Sequence, residues 1–220
     1  MQIAVFHFLS DLAQNNDRDW FQAQKSTYEA VKNTAQAFYD ALNERLSAVD
    51  DIEKYRMYRI YRDVRFSKDK TPYKTHFGGI YKRRQPQNRG SFYVHIEPGN
   101  SFVAAGFWEP NKDDLLRIRK AIQREDDLAV ILSQPEIIAA FGGLHGEQVK
   151  TTPKDFDKTH PRIDLIRHKQ FMLLRHFTNE EVLDETFMDK VVETYGLMRP
   201  FLNYMTEVLT LDENGSPLYE

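Results

Sequence analysis

Residues 91–108 read SFYVHIEPGNSFVAAGFW, and they carry the clearest secondary-structure pattern in the chain. Phe92, Val94 and Ile96 alternate with Tyr93, His95 and Glu97, as in a strand whose side chains point in turn to the two faces of a sheet. The following residues 98–100, Pro-Gly-Asn, are typical of a tight turn, because proline presets one backbone angle and glycine tolerates a positive φ. The segment therefore predicts a β-hairpin whose second strand occupies residues 101–108.

Further strands and helices are predicted on both sides of this hairpin. Strand patterns occupy residues 77–83 and 169–177, and β-branched and aromatic content favours a strand over residues 55–66. Helical periodicity predicts helices over residues 3–13 and 18–49, a helix capped by Asn111, and short helices over 126–133 and 136–141. A last helix is predicted over residues 186–209, with a break or kink at Pro200. We expect an α+β fold in one domain, residues 1–220, with an antiparallel sheet of about four to five strands packed by long helices.

The bulk composition bounds the class of protein. The chain has 220 residues, 41% of them hydrophobic, which is enough for a sizeable core. It has no cysteine, so disulfides and thiolate metal sites are excluded. The N-terminus lacks the pattern of a signal peptide, and no apolar run is long enough to cross a bilayer. We therefore expect a cytoplasmic protein without a membrane partner.

Residues 54–89 form a basic segment inside an acidic chain. The segment carries 12 lysines and arginines against two aspartates, while the whole chain has a net charge of −3. Such a local excess attracts an anion: a phosphate, a nucleic-acid backbone or the acidic surface of a partner. The alternative is that the arginines pair with acidic helices and the interleaved tyrosines fill the core.

The candidate site residues come from this segment, the hairpin and residues 160–170. Arginine and lysine suit the binding of phosphate or carboxylate oxygens, and nearby aspartates can orient them. The candidate anion-binding residues are Arg62, Arg65, Lys68, Lys70, Lys74, Arg167 and Lys169, and the candidate orienting residues are Asp63, Asp69 and Asp164. For Asp164 and Arg167 the alternative is a salt bridge at the start of a helix.

His76, His95 and Glu97 are candidate acid–base residues. His95 and Glu97 lie two apart in the hairpin strand and so share a face, but no third ligand follows at a recognised spacing. We therefore predict no metal site, and the sequence indicates no particular cofactor.

Four segments resemble the family catalogued as domain of unknown function 2461. They are RDVRFSKDKTPYKTH at residues 62–76, NNDRDWF at 15–21, HIEPGN at 95–100 with GFW at 106–108, and HPRIDLIRHKQ at 160–170. The resemblance covers nearly the whole chain. It implies no established activity, catalytic residue or cofactor, so functional hypotheses rest on the residues themselves.

Three functions are compatible with these residues. The first is an anion-binding module for a phosphorylated ligand or nucleic acid, which we expect to be a compact pocket because the whole chain is acidic. The second is an enzyme acting on a phosphate- or carboxylate-bearing substrate, with Asp63 or Asp69 as acid or base. The third is a structural or protein-interaction domain, with a homodimer as one form.

Overall fold

The computed structural model describes residues 1–212 and 214–219. It confirms an α+β fold with a five-stranded antiparallel sheet in the order β1-β2-β3-β4-β5. The strands are β1 (Ile52–Met57), β2 (Phe77–Arg83), β3 (Ser91–Ile96), β4 (Ser101–Phe107) and β5 (Phe171–Phe177). The predicted hairpin is β3 and β4, and Gly99 has the positive φ of 76° that its turn requires.

Helices precede and follow the sheet strands in sequence. They are α1 (Ile3–Gln14), α2 (Arg18–Ala23), α3 (Lys25–Ser47), α4 (Lys112–Arg124), α5 (Asp127–Ser133), α6 (Pro135–Phe141), α7 (Ile163–Ile166), α8 (Asn179–Leu183) and α9 (Phe187–Thr210). The Asn111 side chain caps α4 as predicted, and Asp17 caps α2 by accepting from the backbone N–H of Trp20.

Three predicted elements differ from the structure. The long helix over residues 18–49 is in fact two helices that meet at Gln24, and the first of them stacks Phe21 on Tyr73 with ring centroids 3.9 Å apart. Strand β1 ends at Met57, and only a single bridge joins Tyr61 to Tyr73 further on. Pro72 offers no N–H to a longer ladder, which limits pairing there. The helical conformation of α9 continues through Pro200, so the helix has no break there, and the alternative of a kink stays a prediction.

The short helix α8 was not predicted. Thr178 and Glu181 form a capping box at its N-terminus, with each side chain bonded to the other residue's backbone N–H. This reciprocal capping stabilises one short turn that has too few residues to show a helical period.

The chain divides into two compact units. The first comprises residues 1–81, 93–103 and 176–192, and the second comprises residues 82–92, 104–175 and 193–220. The single domain of the sequence analysis stays a prediction. Among the described residues, no helix combines the length and the hydropathy that crossing a membrane requires.

The core of the first unit places α3 against one face of the sheet. Tyr39 of α3 is fully buried, and its hydroxyl donates to the backbone carbonyl of Val94 at 3.4 Å. A Cβ on Gly79 would lie 2.5 Å from the Tyr39 ring, so the missing side chain allows this close packing. Because side chains alternate along a strand, His95 lies on the sheet face opposite to that of Val94.

The core of the second unit includes the buried face of α4 and much of α9. Ile118 and Ile122 of α4 are fully buried, and Phe92 packs on Tyr195 with ring centroids 4.6 Å apart. Arg83 is only 3% exposed, and its guanidinium donates to Asn203 and Thr206. Part of the basic segment therefore has a structural role.

Candidate functional site

Two histidines and a glutamate come together on the sheet face opposite to α3, in the first unit. The imidazole rings of His76 and His95 have centroids 4.0 Å apart, and Nε2 of His95 lies 3.1 Å from Oε2 of Glu97. One ligand atom from each of the three side chains lies within 4.8 Å of the other two. The three candidate acid–base residues thus form one cluster, here called the His–Glu cluster.

Neighbouring side chains hold the His–Glu cluster in place. The Thr75 hydroxyl donates to Oε1 of Glu97 at 2.6 Å, and the Asn100 amide donates to Oε2 at 2.9 Å. A hydrogen bond of 3.2 Å joins the Tyr93 hydroxyl to Nδ1 of His95. These bonds orient both the carboxylate and one imidazole.

Packing on the same face further restricts the His95 ring. Phe102 stacks on it with centroids 4.6 Å apart and planes inclined by 12°. A Cβ on Gly78 would overlap the Tyr93 hydroxyl, so this glycine leaves the room in which Tyr93 reaches His95. Phe102 was not predicted as a site residue, although the hairpin register places it opposite His95.

The environment makes both imidazoles neutral and the carboxylate ionised at neutral pH. Burial, with a contribution from His95, lowers the pKa of His76 to about 4. Burial also lowers the pKa of His95, against the opposing effect of Glu97. For Glu97, burial alone would raise the pKa, but hydrogen bonds from Thr75, Asn100 and His95 outweigh it and the pKa is lowered.

Three cations near Tyr58 form a second group in the first unit, here called the cation cluster: Arg56, Arg59 and Lys74. The Arg56 guanidinium lies 5.5 Å and the Lys74 ammonium 5.3 Å from the centre of the Tyr58 ring. Burial and the charges of Arg59 and Arg56 lower the pKa of Lys74. In residues 1–212 and 214–219, none of the three has a carboxylate within 4.0 Å, although Arg59 acts on Asp63 at longer range.

The other predicted cations of the first unit are mostly engaged within their own loop. Arg62 pairs with Asp69 at 2.5 Å, and Arg65 pairs with Asp63 at 2.7 Å. The Lys70 ammonium donates to a backbone carbonyl of the same loop, that of Val64, at 2.9 Å. Asp63 and Asp69 each pair with one arginine in separate ion pairs, of which the Arg65–Asp63 pair is exposed, and their role in orienting cations toward an anion stays a prediction. Lys68 is also exposed.

The predicted residues at positions 164–169 belong to the second unit and make their contacts there. Arg167 donates to the backbone carbonyls of Val149 and Lys150 at 3.0 and 2.7 Å, and Lys169 pairs with Glu147 at 2.5 Å. Asp164 lies 4.0 Å from Arg167, which matches the alternative of a helix-start salt bridge.

An open cleft of about 530 Å³ in the second unit contains none of the predicted site residues. Its lining mixes charges of both signs with apolar groups, including Leu116, Lys120, Arg124, Tyr204 and Glu207. The Tyr204 hydroxyl bonds Glu125 at 3.2 Å, so the polar groups of this cleft partly satisfy one another.

The segments quoted above run through both units, and a family model spans them. The model for conserved hypothetical proteins of domain of unknown function 2461 matches residues 4–204. The chain belongs to this family. A search of curated proteins found no match, and a search of solved structures found none either. For this member of the family, the His–Glu cluster and the cation cluster are the groups from which a function can be argued.

Proposed function

We propose that this protein binds a small organic anion, carrying a carboxylate or a phosphate, at the cation cluster of Arg56, Arg59 and Lys74. The observation that carries the proposal is the contrast between two groups of cations in one segment. Arg62 and Arg65 are neutralised by Asp69 and Asp63, whereas the cation cluster has no ion-pair partner within 4.0 Å in the described residues.

Uncompensated charge of one sign at a half-buried position favours a ligand of the other sign. Arg56 and Arg59 are exposed while Lys74 is half-buried, and the mutual repulsion of the three charges is relieved when an anion lies among them. Arginine also offers paired donors that match the oxygens of carboxylate and phosphate.

The spacing of the cluster suits one anionic group better than a nucleic-acid strand. Arg56 and Lys74 both lie within 6 Å of the centre of the Tyr58 ring, and the charges of Arg59 and Arg56 act on Lys74, so the three charges are grouped around one residue. A strand of nucleic acid is bound by cations distributed along successive phosphates. The neighbouring cations that could extend such a track, Arg62 and Arg65, are engaged in their own salt bridges.

The experiment compares two variants that remove the same number of positive charges. One is Arg56→Gln with Arg59→Gln and Lys74→Gln, and the other is Arg62→Gln with Arg65→Gln and Lys70→Gln. Chelator-treated protein is titrated calorimetrically with inorganic phosphate, a phosphomonoester and a dicarboxylate. Labelled single-stranded RNA and DNA are tested by fluorescence anisotropy at two salt concentrations.

We expect the wild type and the second variant to bind at least one of the small anions, and the first variant to lose at least about tenfold in affinity. Equal loss in both variants would mean that overall charge, not the cation cluster, is responsible. Binding of RNA or DNA without any small anion would replace the proposal by a nucleic-acid site.

An enzyme acting on such an anion is the second candidate, because the His–Glu cluster shares the first unit with the cations. We propose that His76, His95 and Glu97 take the role first assigned to Asp63 and Asp69. Both aspartates are exposed, and hydrogen bonds from Thr71 and Arg62 lower the pKa of Asp69 to about 2, which makes it a weak base. Turnover of phosphoester or amide substrates, with and without divalent metals, tests this candidate, and loss of that turnover in Glu97→Gln would assign it to the cluster.

A further inference from the structure

We propose that His76, His95 and Glu97 bind a first-row divalent transition metal. In the folded chain His76 is a third potential ligand beside His95 and Glu97, which the sequence spacing did not indicate. His76 lies 19 residues before His95, at no recognised ligand spacing, and the sheet brings their rings to a centroid distance of 4.0 Å. This inference rests on side chains other than those of the proposed anion site.

The distances are compatible with a metal after a small adjustment. Metal–nitrogen and metal–oxygen bonds of about 2.0–2.2 Å place neighbouring ligand atoms about 3.0–3.6 Å apart. Nε2 of His95 and Oε2 of Glu97 are already 3.1 Å apart, and all three ligand atoms lie within 4.8 Å of one another. The His76 ring is half-buried, and its nitrogen is the ligand atom that has to move closer to the other two.

The surrounding hydrogen bonds are those of a supported metal site. The carboxylate of Glu97 is held by Thr75 and Asn100, and Nδ1 of His95 is engaged by Tyr93. Such outer partners fix the ring orientation and leave the other nitrogen for the ion.

The ligand set selects the class of metal. Two imidazoles and one carboxylate suit zinc, iron, cobalt or nickel, whereas calcium and magnesium prefer oxygen ligands throughout. Three protein ligands also leave at least one coordination position for water or for a bound anion. The site would thus be an open one, as in catalytic centres, and not a closed structural one.

The test titrates tag-free, chelator-treated protein with Co²⁺, followed by its visible absorption, and with Zn²⁺ in competition. The variants are Glu97→Gln, which keeps the shape of the side chain, and His76→Gln. The matched control is His7→Gln, which removes an exposed histidine of α1 in the same unit. Circular dichroism establishes that each variant is folded.

We expect one equivalent of metal to bind the wild type and the control, and both cluster variants to lose at least about tenfold in affinity. Wild-type affinity in either folded cluster variant would overturn the inference, and so would an absence of saturable binding by the wild type. Nuclear magnetic resonance of the wild-type histidines on Zn²⁺ addition needs no variant: shifts at His76 and His95 support the site, and shifts confined to other histidines contradict it. Anion binding by metal-free protein is measured separately, so either proposal can fail alone.

Discussion

Three hydrogen bonds decide the charge of the Glu97 carboxylate. Burial opposes its ionisation, yet donors from Thr75, Asn100 and His95 keep its pKa below the ordinary value. Glu97 thus carries the negative charge of the His–Glu cluster, whose other two members are imidazoles. Glu97 raises the pKa of His76 and His95, whereas the nearby charge of Lys74 lowers the pKa of both imidazoles.

Replacing Lys74 should therefore move two affinities in opposite directions. In Lys74→Gln we expect weaker binding of the small anion and, because one repulsive charge is removed, about two- to tenfold tighter binding of Co²⁺. Calorimetry on the metal-free protein and visible absorption on the Co²⁺-loaded protein measure the two effects. Lys68→Gln removes an exposed lysine of the same segment and should change neither. A parallel loss of both affinities would show general damage to the first unit.

At the scale of the elements, strand β2 presents two successive glycines to opposite faces of the sheet. Gly78 leaves room for the Tyr93 hydroxyl beside the His–Glu cluster, and Gly79 leaves room for the Tyr39 ring of α3. The absence of a side chain is therefore required on one face of β2 by the His–Glu cluster and on the other face by the core.

Gly79→Ala tests the core side of this strand. The new Cβ would meet the fully buried Tyr39 ring at 2.5 Å, so either the ring or the strand has to shift. We expect the free energy of unfolding to fall by about 1 to 3 kcal/mol, as for other overpacked cores. Urea unfolding followed by circular dichroism gives this value.

The control for this substitution is a glycine in open space. Gly196 is an exposed residue of α9 and has no atom within 4 Å of an added Cβ. Gly196→Ala should raise the free energy of unfolding by up to about 1 kcal/mol, because alanine favours the helix. If both substitutions changed the free energy of unfolding in the same direction, the packing described for β2 would be contradicted.

The sheet also shows which contacts between elements could be predicted. The turn after Glu97 sets the register of β3 and β4, so the pairing of His95 with Phe102 was accessible from sequence. The link from β2 to β3 is longer, and its register follows from packing. The approach of His76 to His95 could not be predicted for that reason, and the prediction of no metal site rested on that missing neighbour.

Across the whole molecule, buried tyrosines are common to both units. Tyr28 and Tyr81 are buried in the first unit and Tyr204 in the second, and burial raises the pKa of each phenol. For Tyr28, burial and the nearby Tyr61 and Glu29 raise the pKa to about 12. A phenol in the unfolded chain titrates near pH 10.

Stability should therefore decrease at alkaline pH. Above about pH 10 the unfolded chain releases phenolic protons that the folded chain retains until about pH 12, so the free energy of unfolding falls over that interval and is unaffected by these groups below it. Urea unfolding at a series of pH values, together with the ultraviolet absorbance of phenolate, follows both events.

Tyr28→Phe isolates the contribution of one phenol from that of the lysines, which titrate in the same range. The variant keeps the ring that packs against Phe8 and Phe21, and its stability should decrease less steeply above pH 10 than that of the wild type. Identical slopes would mean that the Tyr28 hydroxyl has an ordinary pKa in the folded chain.

The homodimer also stays a prediction at the scale of the whole molecule, and light scattering at high protein concentration decides it.

The elements whose signals are local could be predicted from the residues alone. Side-chain alternation and the Pro98–Asn100 turn specified the hairpin, three- and four-residue periods specified most helices, and the family motifs specified membership. The sequence also located the excess of positive charge. These features depend on neighbours in the chain, so they can be read without knowing the fold.

Which of the charged residues have partners and which lack them depends on the folded structure. Arg62 and Arg65 are neutralised by aspartates of their own loop, and Arg83 is buried among polar groups of α9. Arg56, Arg59 and Lys74 are left without an ion pair in the described residues, and His76 joins His95 and Glu97. Charge pairing and ligand convergence act over a few ångströms in space, and strand register, not sequence spacing, sets those distances.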